Sequence, residues 1–249
     1  MFSLEHLRLR YEPFPIGLAR PVQDQATYDR FTDSYPPVEL FEYIPKVGHK
    51  YCLSEKYNSK HYHDWIGNHA HWREFHAWIK SEAFVWNVLD TLARHHVDLG
   101  FKRRSTGQQV YRRARDVLQG RWWKGEQRLS ARFEFSMLPA DGGSVTPHTD
   151  NADKIVTMVV SMAKAGEWDQ AYGGGLEIDR HRQAERSFNR VNGKAEFDEM
   201  EPLETYAFEP NQCVLFVKTF NSWHCVRPMT GQGSGAMRRT LTINIELEH

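Results

Sequence analysis

The spacing of apolar positions changes from a helical to a strand-like period near residue 128. From Asp64 the apolar positions recur about every 3.6 residues, which predicts a helix with one buried face. Ser81 is a suitable N-cap for a second helix, which ends near Gly100. The apolar faces consist of Trp65, Trp72, Phe75, Trp78 and Ile79 in the first helix and Phe84, Val85, Val88, Leu89 and Leu92 in the second.

After Leu129, apolar and polar residues alternate, which predicts a half-buried strand. Gly, Pro, Asn and Asp separate several further short apolar runs. Many short strands after a helical segment predict a mainly β fold, an antiparallel jelly roll with flanking helices packed outside it. The further predicted strands are Ile155–Met162, Leu176–Asp179, Glu204–Phe208, Cys213–Val217, Trp223–Val226 and Arg239–Glu246.

The polar face of the first predicted strand carries Arg132, Glu134 and Ser136. If Phe133 and Phe135 pack against the helices, these three residues face the inside of the barrel. A buried Arg–Glu pair there needs partners, and an enclosed substrate is one candidate. If the strand lies at the edge of a sheet, the polar face is solvated instead. The pattern does not decide between the two arrangements.

Two stretches lie outside the regular patterns. Residues 1–60 are rich in Pro and Tyr and show no regular period, so we predict that they form an irregular arm over the body of the domain. The stretch Arg180–Met200 is too polar for a core strand, so we predict an insertion over the mouth of the barrel. We therefore expect one domain over residues 1–246, with the arm and supporting helices in 1–128 and the jelly-roll core in 129–246. Residues 247–249 are typical of an expression-tag remnant.

Charge and composition restrict the class of partner. The chain has 32 basic residues (Lys and Arg) and 32 acidic residues (Asp and Glu), so its net charge is zero. The overall charge therefore does not favour a nucleic acid or a membrane surface as partner. The segment 102–128 is locally basic and contains aromatic residues. It is either a docking site for an anionic molecule or a nucleic acid, or a solvated helix and loop, and the overall neutrality favours the second.

The cysteine pattern favours a reduced, cytoplasmic protein. Cys52, Cys213 and Cys225 lie far apart and form no CxxC pair. The charged N-terminus lacks the apolar core of a signal peptide, and no apolar stretch approaches the ~18 residues of a membrane span. Nothing in the pattern indicates an oligomeric state.

His148 and Asp150 form a His-x-Asp pair. At a strand end residues i and i+2 point the same way, so one imidazole and one carboxylate can converge on one ion. His224, which follows the apolar strand Cys213–Val217, is the candidate third ligand. Two histidines and one carboxylate leave coordination positions open, which suits Fe(II) chemistry with O2. Zn²⁺ is more often held by three or four ligands in a tetrahedron.

Arg238 and Thr240 share one face of the last predicted strand. A guanidinium and a hydroxyl at this spacing can bind a carboxylate, such as the one at the far end of 2-oxoglutarate. A surface arginine paired with an acid is the ordinary alternative. Arg239 faces the other side with Leu241, and a shift of register by one residue would make Arg239 the carboxylate-binding residue.

Four motifs occur in order along the C-terminal half of the chain. They are Gly142–Asp150, Gly173–Ile178, Asn221–Pro228 and Arg238-x-Thr240. Together they resemble the 2-oxoglutarate/Fe(II) oxygenase superfamily, particularly its prolyl-hydroxylase-like branch. The resemblance covers Arg132–Ile245, and residues 1–128 match no subfamily.

The resemblance implies a 2-oxoglutarate-dependent non-haem iron dioxygenase built on a double-stranded β-helix, a cupin-like jelly roll. It implies Fe(II), 2-oxoglutarate and O2 as cofactor and cosubstrates, with succinate and CO2 as co-products. We expect hydroxylation of an unactivated C–H in a small-molecule substrate. Related halogenases have Gly or Ala at the position of Asp150, so the carboxylate here favours hydroxylation or another oxidation. Leu138 stands where some members carry a Tyr that contacts 2-oxoglutarate.

Two alternative functions stay open at this point. Some relatives hydroxylate or demethylate a protein or nucleic-acid residue, and a wide mouth with the basic segment on its rim would favour that activity. A non-catalytic jelly-roll protein that binds a structural metal or a sugar would take up Zn²⁺ or Ca²⁺ and no 2-oxoglutarate. No motif encodes the substrate, or the choice among hydroxylation, desaturation, cyclisation and demethylation.

Overall fold

The computed structural model describes residues 2–103, 128–188 and 190–248, together with residues 115 and 118. The basic segment 102–128 therefore lies almost entirely outside the described residues, and so does the final residue of the presumed tag.

Four helices lie within residues 2–103, before the jelly-roll core. The first predicted helix is confirmed but is divided at His69, whose extended backbone (φ −117°, ψ 106°) interrupts the helical hydrogen bonds. Ser81 caps the second predicted helix, because its side chain accepts a hydrogen bond from Phe84 N. The helices are α1 (Gln25–Asp33), α2 (Ser59–Asn68), α3 (Ala70–Ile79) and α4 (Glu82–Arg94).

Twelve strands are present among the described residues. They are β1 (Arg8–Arg10), β2 (Ile16–Ala19), β3 (Glu42–Ile44), β4 (Lys50–Ser54), β5 (Leu129–Pro139), β6 (Val145–His148), β7 (Lys154–Ser161), β8 (Leu176–His181), β9 (Met200–Tyr206), β10 (Cys213–Val217), β11 (His224–Val226) and β12 (Met237–Leu247). β12 continues into Leu247, the first of the three residues assigned to a tag.

The strands form two antiparallel sheets. The larger has the order β1-β2-β10-β7-β12-β5-β4-β3, and the smaller has the order β6-β11-β8-β9. From β5 onward the chain alternates between the sheets, with β8 and β9 as the one consecutive pair in the smaller sheet. This alternation is the topology of a jelly roll, and the predicted fold class is confirmed.

The prediction of an irregular arm over residues 1–60 is wrong in part. β1 and β2 extend the larger sheet beyond β10, while β3 and β4 extend it beyond β5. These strands have three to five residues each, too few for a two-residue period to be recognised. These segments become strands because β2 pairs with β10 and β4 pairs with β5 at the two edges of the core sheet.

The predicted strand Glu204–Phe208 is displaced toward its N-terminus. The observed β9 spans Met200–Tyr206 at the edge of the smaller sheet. Pro202 lies within it, next to a register shift against β8. Proline is tolerated at edges and irregularities of this kind, and the exposed polar side chains of an edge strand conceal its period.

The two faces of β5 have different environments, which settles the orientation that the sequence left open. Phe133 and Phe135 pack against the aromatic side chains of α2 and α3, including Trp72. The alternate residues face the space between the sheets, where Glu134 and Ser136 are buried. The polar face is therefore interior at Glu134 and Ser136, while Arg132 on the same face stays partly exposed.

No helix in the described ranges is long and apolar enough to span a bilayer. All three cysteines are buried and carry free thiols.

Candidate metal centre

The three candidate ligands converge where β6 pairs with β11. His148 ends β6 and lies opposite His224 in antiparallel register. Asp150 follows His148 by two residues, so its carboxylate returns to the same side. The ligand atoms of the three side chains lie within 4.8 Å of one another, and the two imidazole centroids are 4.2 Å apart. The structure thus brings together residues separated by as many as 76 positions along the chain.

Backbone carbonyls orient both imidazoles. Nδ1 of His148 lies 2.9 Å from Thr146 O, and Nδ1 of His224 lies 3.0 Å from Ser222 O. A carbonyl oxygen only accepts, so each Nδ1 carries the proton and each Nε2 keeps a lone pair. Metal-binding histidines commonly receive their tautomer and ring orientation from such a second hydrogen bond.

The ligands have the ionisation states that a metal requires. Burial lowers the pKa of His148 and the pKa of His224, so both imidazoles are neutral near pH 7. Burial opposes ionisation of Asp150, but interactions with His224 and Lys154 outweigh it and hold the pKa of this carboxyl well below its usual range. The site therefore offers two neutral imidazoles and one carboxylate.

Both carboxylate oxygens of Asp150 are engaged inside the protein. The Thr157 hydroxyl lies 2.8 Å from Oδ2, and Lys154 Nζ lies 2.7 Å from Oδ1. Thr157 Oγ1 is also 3.0 Å from Asn244 Oδ1 on β12. These three supporting residues were not predicted from sequence. The sequence feature that could have indicated this role is Thr157 itself, a polar residue within the otherwise apolar run Ile155–Met162.

Arg238 faces the interior between the sheets. Its Nε donates to Gly174 O, and its guanidinium carbon lies 4.7 Å from the centre of the Phe208 ring. No carboxylate of the described residues pairs with this guanidinium, and burial lowers its pKa to about 10. A buried cation without a counter-ion is costly, which is the expected condition of a side chain that binds an anionic ligand.

Arg239 points in the opposite direction. It forms an ion pair with Glu167 and lies over the Tyr35 ring, 5.8 Å from its centre. Thr240 returns to the interior, where its hydroxyl lies 2.9 Å from Ser136 Oγ. The observed register of β12 therefore places Arg238 and Thr240 together on the inward face.

The candidate metal centre and Arg238 both adjoin the cluster of buried apolar residues between the sheets. The Phe216 ring lies 4.6 Å from the His224 ring. Phe208, beneath the Arg238 guanidinium, belongs to the same cluster of buried residues between the sheets.

The sequence model of the 2OG-Fe(II) oxygenase superfamily matches residues 133–246, which include the three candidate ligands and Arg238. Residues 133–246 belong to the 2OG-Fe(II) oxygenase superfamily. Enzymes of this superfamily use Fe(II), 2-oxoglutarate and O2, and this protein is a 2-oxoglutarate-dependent dioxygenase. The match favours an enzyme over the non-catalytic jelly-roll alternative.

Several solved structures resemble the oxygenase at low sequence identity. A Pseudomonas putida prolyl-4-hydroxylase is 19% identical with a TM-score of 0.33, over 61% of this chain and 69% of that one. A Trichoplax adhaerens prolyl hydroxylase, solved with a hypoxia-inducible-factor peptide, is 10% identical with a TM-score of 0.44, over 93% and 83%. A Burkholderia pseudomallei oxidoreductase of the 2OG-Fe(II) oxygenase family is 15% identical with a TM-score of 0.31, over 56% and 57%. No curated protein sequence matches the chain.

The oxygenase residues fit this cofactor set. The Nε2 lone pairs of His148 and His224 and the Asp150 carboxylate converge, and the described part of the chain adds no fourth ligand to the group. A set of two imidazoles and one carboxylate is typical of non-haem Fe(II) oxygenases. Arg238 offers a buried positive charge for a dicarboxylic acid.

The interior polar face of β5 forms a continuous ion-pair network in the oxygenase. Lys50 Nζ lies 2.8 Å from Glu134 Oε1, and Arg132 lies 3.5 Å from Glu134 Oε2 and 3.1 Å from Glu246 Oε1. The charges satisfy one another, and the Arg132 and Lys50 side chains remain 28% and 23% exposed. They are therefore accessible to a polar substrate.

Part of the predicted insertion lies beside the metal centre. Thr149 N donates to Gly193 O, Asn192 N donates to Asp150 O, and Ala195 N donates to Pro147 O. This segment thus flanks β6 and the adjoining residues up to Asp150, which carry two of the three candidate ligands.

Thr157→Val is expected to weaken Fe(II) binding by about 10- to 100-fold, because the change removes the hydroxyl that orients Asp150 and keeps the side-chain shape. The measurement is a titration of the metal-free protein with Fe(II) under anaerobic conditions. Thr91→Val is the matched control, since the Thr91 hydroxyl bonds to Asn87 O within α4. Equal affinity in the two variants would contradict a supporting role for Thr157.

Proposed function

We propose that His148, Asp150 and His224 bind Fe(II) and that the oxygenase hydroxylates an unactivated C–H bond of a small-molecule substrate, with release of succinate and CO2. The observation that carries the proposal is the convergence of two Nε2 lone pairs and one buried carboxylate, next to an interior that also holds Arg238, which has no carboxylate partner among the described residues. A structural metal site would not require that arginine.

The protein supplies the metal ligands and the groups that orient these ligands. His148, Asp150 and His224 would hold Fe(II). The bound ion would supply activation of O2 coupled to oxidative decarboxylation of 2-oxoglutarate. Thr146 O and Ser222 O fix the imidazole planes, while Thr157 fixes the Asp150 carboxylate.

Arg238 and Thr240 are proposed to bind the far carboxylate of 2-oxoglutarate. Gly174 O accepts from Nε of Arg238 and the Phe208 ring supports the guanidinium plane, which leaves the two terminal nitrogens for a bidentate pair. The Thr240 hydroxyl lies on the same inward face and can donate one further hydrogen bond. Exclusion of water strengthens this charge-assisted interaction.

Enclosure of the site favours a small substrate over a protein or nucleic-acid residue. Asp150 and His224 are only 4% and 6% exposed. The segment at 192–195 flanks β6 on one side, and the network around Glu134 lies between the sheets. A substrate with polar or charged groups would meet Arg132 and Lys50 there.

The test is Fe(II)-dependent succinate release from 2-oxoglutarate, measured against a panel of small polar metabolites and a panel of peptides. We expect stimulation of turnover by a member of the small-molecule panel. Stimulation by peptides alone would show that the substrate is a protein residue and not a small molecule. Absence of both 2-oxoglutarate binding and turnover would overturn the proposed function.

A further inference from the structure

A second group of metal-ligand side chains lies on the outer face of the smaller sheet. Glu177 and Asp179 alternate with the inward-facing Ile178 on β8, and Cys225 alternates with His224 on β11. All three of these outward-facing side chains are buried, at 7%, 1% and 0% exposure. The group therefore lies on the other side of the sheet from the proposed iron ligands.

The Asp179 carboxylate accepts no hydrogen bond from the described residues. Neither Oδ1 nor Oδ2 has a partner there, although Asp179 is only 1% exposed, and the nearby Cys225 thiol donates instead to Glu177 Oε1 at 3.6 Å. Arg227 does not supply one, because its Nε donates to both oxygens of Glu177, at 2.7 and 3.0 Å. Leaving a buried carboxylate without a donor is costly, so such a group is expected to have a ligand or a proton.

The three side chains can share one ion. Their ligand atoms, two carboxylate oxygens and the Cys225 sulfur, lie within 4.8 Å of one another. Ligands around Zn²⁺ at about 2.0–2.3 Å lie roughly 3–4 Å apart, so small side-chain rotations would close the site. With Asp179, Glu177 and Cys225 ionised and Arg227 positive, the net charge is −2, which a divalent cation neutralises.

The segment that follows β8 closes this face from solvent. Trp223 Nε1 donates to Ser187 O, and the Trp223 ring packs with Ala195 and Met200. Arg227 lies over the Phe197 ring, 5.6 Å from its centre. A covered site of this kind suits a structural ion that exchanges slowly.

We propose that Glu177, Asp179 and Cys225 bind a divalent cation of the Zn²⁺ type, separate from the proposed iron centre. A thiolate with two carboxylates and one water gives the four-coordinate shell that Zn²⁺ prefers, and sulfur disfavours Mg²⁺ and Ca²⁺. The ion joins β8 to β11 one residue away from His224. It therefore braces the strand that presents this histidine to the interior.

Co²⁺ is the probe, because a cobalt–thiolate bond gives a charge-transfer absorption that an imidazole and carboxylate site cannot give. The background is the full chain with His148→Ala and Asp150→Asn, so that the result does not depend on the iron proposal. We expect the absorption to saturate at one equivalent of Co²⁺ and to disappear when Zn²⁺ is added. The absence of a thiolate band would overturn the site.

Cys225→Ser in the same background should abolish the band. Cys52→Ser is the matched control, since Cys52 is also a buried thiol beside a glutamate, with Sγ 3.7 Å from Glu134 Oε1. Loss of the band in both variants, or its retention in Cys225→Ser, would contradict the assignment.

Asp179→Asn provides a second variant that keeps the side-chain shape, and circular dichroism establishes that each variant is folded. We expect Co²⁺ binding to weaken by at least about tenfold, because the amide cannot supply an anionic ligand. Unchanged affinity would show that Asp179 merely shares a proton with Glu177, and the proposal would then fail.

Discussion

Replacing His148 with alanine is expected to abolish Fe(II)-dependent succinate formation, with a loss of about 1,000-fold or more. The variant removes one of the two Nε2 lone pairs at the proposed centre and leaves the second histidine with Asp150 alone. Metal activation contributes several kcal/mol to such reactions, and each 1.4 kcal/mol corresponds to a factor of about ten in rate. The measurements are iron content after anaerobic loading and the rate of succinate release.

His63→Ala is the control for this variant, because His63 is an exposed residue of α2 on the far side of the larger sheet. It should retain iron and full turnover. Wild-type rates in His148→Ala, with bound iron, would remove the basis of the proposed centre. Loss of activity in both variants would point to a folding defect instead, and thermal denaturation would reveal it.

Replacing Arg238 with leucine is expected to raise the KM for 2-oxoglutarate by about 100-fold, with a smaller effect on kcat. Removing one partner of a buried ion pair costs on the order of 2–5 kcal/mol of binding. A change confined mainly to KM would indicate that Arg238 contributes binding in both the ground state and the transition state. Steady-state kinetics at varied 2-oxoglutarate, with substrate held constant, provide the measurement.

Arg239→Leu is the matched control, since Arg239 is the next residue and points to the helical side of β12, where it pairs with Glu167. Its KM for 2-oxoglutarate should equal that of the wild type. The metal-free Arg238→Leu variant should melt no lower than the wild type, because it removes a buried charge that has no carboxylate partner among the described residues. A raised KM in Arg239→Leu alone would reverse the assignment.

The helices and the core strands could be predicted because each contains several periods of a strong pattern. In α4 the whole predicted stripe from Phe84 to Leu92 is buried. In β12 the two-residue period correctly placed Arg238 and Arg239 on opposite faces. The short strands β1 to β4 could not be predicted in the same way, since their pairing with β10 and β5 is a long-range event.

The His-x-Asp pair of the candidate site could be predicted from the sequence, because the spacing of two ligands along one strand is a local property. His148 and Asp150 point the same way as a consequence of their separation by two residues. The identification of His224 and Arg238 rested on motif order, which says nothing about distance. The family match and the motif order agree on the same half of the chain.

The chain's local patterns thus settle which residues are apolar, which face of each long element is buried and which side chains can ligate a metal. Folding decides which of these surfaces meet. It brings β11 against β6 and turns Arg238 rather than Arg239 inward. It also leaves the Asp179 carboxylate beside Cys225 without a hydrogen-bond donor from the residues that the structure describes. Periodicity is a property of neighbouring residues, whereas register and sheet order arise from packing between segments far apart in the chain.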